Sequence, residues 1–169
     1  MGLDDLLKLC EEHPVSGASY APKGEEIIGI PKKGLIHPIR RIARPEDWEF
    51  AVHDHRAKKA GRHFDLRIGD PHTGHAHSWA LRNWPMPGEK RLAVIQSTHS
   101  IPYMDWSGKI EQGYGAGDVD IADRRKVKIL QATEGKIDFS TEAGERYTIV
   151  TGSNLGKGRW LLLNRSSKQ

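Results

Sequence analysis

The chain has 169 residues, 37% hydrophobic and 28% charged, which suits one globular domain with room for a tail. It holds no run of 18 apolar residues, which excludes a transmembrane helix. Its acidic start lacks the features of a secretory signal, so the expected location is the cytoplasm. The single cysteine, Cys10, excludes a disulfide framework and a cysteine-only metal site, and the net charge of +4 suggests a polyanionic partner.

Residues 3–12 read as a short amphipathic helix, because Leu3, Leu6, Leu7 and Cys10 recur at helical spacing. Residues 13–46 carry Pro14, Pro22, Pro31, Pro38 and Pro45, which predicts an extended wrapping arm rather than a regular element. That arm could cover a sheet edge or dock a partner. The expected division is therefore a helix and arm over residues 1–47 and a folded domain over 48–169.

From Trp48 onward short alternating segments follow one another between turn residues. They cover 48–53, 63–68, 77–81, 91–96, 119–121, 127–130, 136–139, 147–150 and 159–163. This pattern predicts a mainly β chain, a small closed or partly open antiparallel barrel of about eight strands. Seven histidines fall between 53 and 99, a density that suggests a metal or acid–base site in that window.

The segment 62–68 is the most informative. Alternation puts His63, Asp65 and Arg67 on one face and Phe64, Leu66 and Ile68 on the other, which must be core. An imidazole and a carboxylate two residues apart can reach one divalent ion, and a third ligand would complete a two-histidine, one-carboxylate set. Arg67 cannot bind metal but matches the geometry of a phosphate held by that metal. The bland reading is a solvated strand face with an ordinary ion pair. His53 and His55 on the preceding strand favour the metal. His72 and His75 lie at a hairpin turn marked by Pro71, Thr73 and Gly74, and read as solvated turn residues.

Several ordered segments go further. They are His53-Asp54-His55, Arg62-His63-Phe64-Asp65-Leu66-Arg67, His77-Ser78-Trp79-Ala80-Leu81 and Lys90-Arg91-Leu92-Ala93-Val94. After them come His99 with Tyr103, Gly113-Tyr114-Gly115-Ala116-Gly117 and Gly158-Arg159-Trp160. Together they resemble the 3′-phosphoesterase domain of DNA ligase D over roughly residues 48–165. The resemblance implies a manganese-dependent phosphoesterase on a small β-barrel, with Co²⁺ or Zn²⁺ as possible substitutes. It implies that DNA or RNA-tipped DNA 3′ ends are trimmed of a terminal ribonucleoside and then of the 3′-phosphate. It also implies metal ligands at His55, His63 and Asp65, a phosphate contact at Arg67 and a proton donor at His99. Arg91, Ser78, Tyr103 and Arg82 match supporting positions around the phosphate. A DNA ligase or end-joining partner is implied by analogy, and the chain is expected to be a monomer with no membrane partner.

The sequence departs from the family pattern in places. Two extra residues lie between His55 and His63, which leaves His53 as an alternative ligand. Ser97 stands where the family carries an acid, Asn83 where it carries a lysine, and Glu111 where it carries a proline. Two other readings compete. One is a nucleic-acid-end-binding barrel with weak or no catalysis, working through Arg56, Lys58, Lys59, Arg62 and the run Arg124-Arg125-Lys126. The other is a small-molecule metalloenzyme on a cupin-like barrel, which Arg67 and its neighbours disfavour because they call for an anion.

Overall fold

A computed structural model describes residues 27–28 and 48–167. The predicted helix 3–12, most of the arm and the boundary at 47 lie outside the described residues. The elements in chain order are β1 Ile27–Ile28, β2 Trp48–Ala57, β3 Gly61–Asp70, β4 His75–Leu81 and β5 Lys90–Ser100. A 3₁₀ helix Ile101–Asp105 follows, then β6 Gly108–Ile110, β7 Gly117–Thr133, β8 Lys136–Thr141, β9 Arg146–Val150 and β10 Arg159–Asn164. Strands β2 to β5 form one antiparallel meander and β7 to β10 another. Pairings β2–β7, β5–β10 and β4–β5 close them into an eight-stranded barrel, as the alternation predicts. Strand β1 pairs with the end of β5 and β6 with β7.

Strict alternation fills the barrel. Phe50, Val52, Leu66, Ile68, Trp79, Leu81, Ile95, Val127, Phe139, Ile149, Trp160 and Leu162 form one continuous apolar cluster. Burying each large side chain of this kind contributes about 1.5–3 kcal/mol relative to leaving it exposed.

The structure corrects the strand map at three places. The predicted pair 119–121 and 127–130 is a single 17-residue strand, β7, that runs through the charged residues between them. Ion pairs make this continuity tolerable. Arg124 binds Glu49 and Asp105, and Arg125 binds Asp123 and Glu145, so the polar run is satisfied without leaving the sheet. Strands β6 and β1 are not anticipated by the sequence pattern. Each is three residues or fewer, too short for alternation to show. The same ion pairs bear on the predicted basic surface. Arg56 and Arg62 are held by Asp54 and Asp120, so these four arginines are already engaged by acids of the chain.

The β2–β7 pairing leaves no room at Gly117. Its φ is +150°, and a Cβ there would sit 2.1 Å from the carbonyl oxygen of Arg56. Gly144 has φ +87° with nothing within 4 Å. Gly117→Ala is therefore expected to lower stability by more than the ~1–3 kcal/mol of backbone strain that Gly144→Ala brings. Denaturant midpoints of the two variants check the order. Equal midpoints would contradict the close approach of β2 and β7.

Candidate metal centre

The β2–β3 hairpin builds the site. Its register places His55 opposite His63, His53 opposite Asp65 and Ala51 opposite Arg67. Directly opposed residues share a face, and this face points away from the apolar interior. The two residues by which the hairpin exceeds the family spacing do not disturb this, because side chains repeat with period two. The face is not solvated. His63, Asp65 and Arg67 are 0, 3 and 3% exposed. The 3₁₀ helix after β5 packs on this side of β2 and β3, with Met104, Ala51 and Ala76 in a small second core. Gly69 admits this cover, since a Cβ there would lie 3.0 Å from Met104 Sδ.

His55, His63 and Asp65 present ligand atoms that all lie within 4.8 Å of one another. His55 Nδ1 is 3.4 Å from Asp65 Oδ2, and His63 Nε2 is 3.4 Å from Asp65 Oδ1. The far nitrogen of each ring meets a backbone carbonyl: His55 Nε2 donates to Gly115 O at 2.6 Å, and His63 Nδ1 to Gly61 O at 3.2 Å. Those bonds fix both tautomers and leave the facing nitrogens as lone-pair donors, the usual outer support of a metal-binding histidine. Gly115 permits the contact, because a Cβ there would stand 3.3 Å from His55 Cε1. His63 Nε2 and Asp65 Oδ1 are buried and have no hydrogen-bond partner. Two nitrogens and a carboxylate with such orphaned atoms fit a divalent transition metal.

Electrostatics point the same way. Burial opposes the charged form of His63, but the Asp65 carboxylate outweighs it and raises the pKa. Burial also opposes the charged form of Asp65, yet His63, His55 and Arg67 together hold its pKa well below the usual carboxylate range. Of the paired β2 histidines, one converges with His63 and Asp65. It is His55, with His53 turned to another partner.

Beside the cluster Arg67 is caged. Its Nε donates to His53 Nδ1 at 3.0 Å and its Nη1 to Ser78 Oγ at 2.8 Å. Its Nη2 lies 3.8 Å from Asp65 Oδ2, and its guanidinium sits 4.9 Å from the centre of the Tyr103 ring. Tyr103 in turn stacks on His99 at 4.4 Å and on Trp106 at 5.4 Å, with planes within 15°. Ser78, Tyr103 and His99 are thus brought together around Arg67. His99 carries one electrostatic surprise. Burial first, and the Arg67 charge second, hold its pKa well below the ordinary histidine value, so its resting form is neutral. In this part of the site the standing positive charge is that of Arg67, not of a His99 imidazolium.

Arg82 is exposed just beyond β4 and continues the alternation of Ser78 and Ala80, the latter paired with Asp65. Arg91 is not brought to the cluster. Strand register sets it opposite Leu162, on the core side of β5. Its Nη2 donates to Glu89 and its Nη1 to Lys90 O. The bulge between Ala76 and Ser78 in the β4–β5 pairing explains this, since it reverses which residues of β5 face outward before His99 is reached. His72 is exposed in the turn capped by Asp70, as the turn residues predict, whereas His75 is not a solvated turn residue but the half-buried first residue of β4, paired with Asp70 and Ser100. Sequence reasoning missed the carbonyls of Gly61 and Gly115, which carry no side-chain signal, and Trp106, whose role depends on the 3₁₀ turn.

Metal affinity is expected to tighten as pH rises through the histidine range, because the proton on His63 competes with the ion and is held to higher pH than on a free histidine. Calorimetric titration with Mn²⁺ or Zn²⁺ at pH 5.5 and 7.5 checks this, and an affinity that does not change would refute it. His63→Ala and Asp65→Ala are each expected to weaken binding by roughly 100-fold or more, beyond what loss of an outer partner gives.

Comparison with known proteins agrees with this geometry. The family model of the DNA ligase D 3′-phosphoesterase domain matches residues 53–164. The chain is 41% identical over 117 residues to the multifunctional non-homologous end joining protein LigD of Pseudomonas aeruginosa. That match covers 68% of this chain and 13% of that protein. It is 38% identical over 78 residues to the protein of the same name from Mycolicibacterium smegmatis, covering 44% of this chain and 10% of that one. The chain thus corresponds to a small part of each relative. With the matched residues running from the first histidine of the site to the last strand of the barrel, the chain belongs to the DNA ligase D 3′-phosphoesterase domain family.

Proposed function

We propose that this chain is a metal-dependent phosphoesterase that processes 3′ ends of DNA or RNA-tipped DNA. It would remove a terminal ribonucleoside, then the 3′-phosphate, and leave a 3′-hydroxyl. One observation carries the reading: a buried two-histidine, one-carboxylate cluster stands beside a buried arginine whose Nη2 is 3.8 Å from the shared carboxylate. A metal cluster alone fits many chemistries, but a caged guanidinium next to it selects an oxyanion. The relatives' role in end joining supports DNA ends as the substrate and a ligase as the partner.

A divalent ion held by His55, His63 and Asp65 would supply Lewis-acid charge to a phosphate oxygen and lower the pKa of water there. Manganese is the preferred candidate, with Co²⁺ or Zn²⁺ able to use the same donors. The chain's own residues do the rest. Arg67 binds and orients the non-bridging oxygens, and Ser78 Oγ, its hydrogen-bond partner, lies at the same edge. Arg82 adds an exposed cation for the flanking strand. Tyr103 holds His99 by stacking. A phosphate arriving beside His99 brings negative charge, which favours its protonated form and makes it a donor to the leaving oxygen. Arg91, on the core side of β5, has no place in this scheme.

A primer ending in 3′-phosphate, incubated with Mn²⁺, is expected to yield a 3′-hydroxyl and free phosphate, and a chelator is expected to stop the release. Arg67→Ala should lower kcat/KM by about 100-fold or more, the usual scale for losing an oxyanion donor. End binding that survives the chelator, with no phosphate released at any Mn²⁺, Co²⁺ or Zn²⁺ concentration, would replace the enzyme by an accessory end-binding barrel.

A further inference from the structure

We infer that His53 is a positioning residue: as a neutral hydrogen-bond acceptor it aims the Arg67 guanidinium at the substrate phosphate without cancelling its charge. The inference rests on the phosphoesterase reading of the site. By spacing alone His53 looks like a ligand, since it is two residues from His55 and opposite Asp65 in the hairpin. Its Nδ1 lone pair is nevertheless spent on Arg67 Nε at 3.0 Å, and the convergent ligand atoms come from His55, His63 and Asp65.

The arrangement around Arg67 explains what this bond does. The Nε edge is held by His53, one Nη1 hydrogen by Ser78 and the flat face by Tyr103. The remaining edge, with Nη2, is turned toward the metal ligands. An arginine fixed in this way loses little rotamer freedom when phosphate binds, so the ordering cost is met in folding. The choice of acceptor matters as much as its place. A carboxylate at position 53 would orient Arg67 equally well but would neutralise it, and Asp65 already lies within 3.8 Å. An imidazole accepts the bond without adding a second negative charge beside the guanidinium. His53 is wholly buried, so no water can replace it as acceptor if it is removed.

Three substitutions separate these ideas. Asn places an acceptor oxygen near the position of Nδ1 and is neutral, Asp has the same shape with a charge, and Leu accepts nothing. With the 3′-phosphate primer and saturating Mn²⁺, His53→Leu is expected to lower kcat/KM by about 10- to 100-fold, the scale of a lost hydrogen bond to a charged group. His53→Asn should stay within about 5-fold of wild type. His53→Asp should fall with Leu, mainly through KM. Mn²⁺ affinity of the Leu and Asn variants should stay within about 3-fold, and thermal melts confirm that each variant folds. In an Arg67→Met background His53→Leu should add less than about 3-fold, because its partner is gone. The inference is overturned if His53→Leu is as active as wild type, if Mn²⁺ affinity falls with activity, if Asn is as poor as Leu, or if the two losses multiply. If wild type releases no phosphate with any metal, the phosphoesterase reading fails by itself. The same variants titrated with inorganic phosphate then test the positioning role, with equal affinities for wild type and Leu overturning it.

Discussion

A carboxylate that is almost wholly removed from water organises this molecule. An unpaired ionised Asp65 would cost several kcal/mol at such a position. Its two oxygens instead face His55 and His63 at 3.4 Å, with Arg67 at 3.8 Å. The raised pKa of His63 and the lowered pKa of Asp65 are two views of one attraction. A proton and a divalent ion would compete for the same His63 nitrogen beside Asp65. A divalent ion held by the same donors would displace that proton and leave the site one charge more positive.

The constraint extends to the fold. A strand that buries Leu66 inward and Asp65 outward needs cover on both faces, which a simple barrel does not give. The outer cover comes from the 3₁₀ helix and from the glycine-rich segment before β7. Each reaches the hairpin through a glycine: Met104 against Gly69, and the Gly115 carbonyl against His55. A Cβ at these two positions would crowd Met104 Sδ at 3.0 Å and His55 Cε1 at 3.3 Å. The β2–β7 closure at Gly117 belongs to the same logic, because it brings the glycine segment to the edge of the hairpin that carries His55.

Much of this was legible in the residues. Period-two alternation gives the barrel, the inward face of β3 and the shared face of His63, Asp65 and Arg67. It also gives the solvated turn of His72. It fails where the pattern is broken by polar satisfaction rather than by solvent. The run Asp123-Arg124-Arg125-Lys126 reads as a loop, yet ion pairs let it continue as β7. It fails again at bulges, where one unpaired residue reverses every later face. Arg91 shares parity with His99 in the sequence, but the irregularity of the β4–β5 pairing puts Arg91 on the core side and His99 beside Arg67. The role of His53 is the subtlest case. Its spacing is that of a ligand, and only its hydrogen bond with Arg67 sets it apart from the cluster.

Net charge illustrates the same point at larger scale. The +4 suggests a polyanion but does not locate it, and most of the prominent arginines are matched by acids. Arg56 and Arg62 share Asp54, while Arg124 and Arg125 engage acids of the sheet and the 3₁₀ helix. Screening reduces what such exposed, paired charges contribute at a distance. Arg67 differs because the acceptor at its Nε, His53, is uncharged, with Asp65 3.8 Å from its Nη2, and because burial reduces the screening of its field. A single guanidinium in that setting can act on a phosphate more strongly than a larger surface charge, provided nothing nearby cancels it. On the proposed reading, the neutral residue beside the arginine is as much a part of anion recognition as the arginine itself.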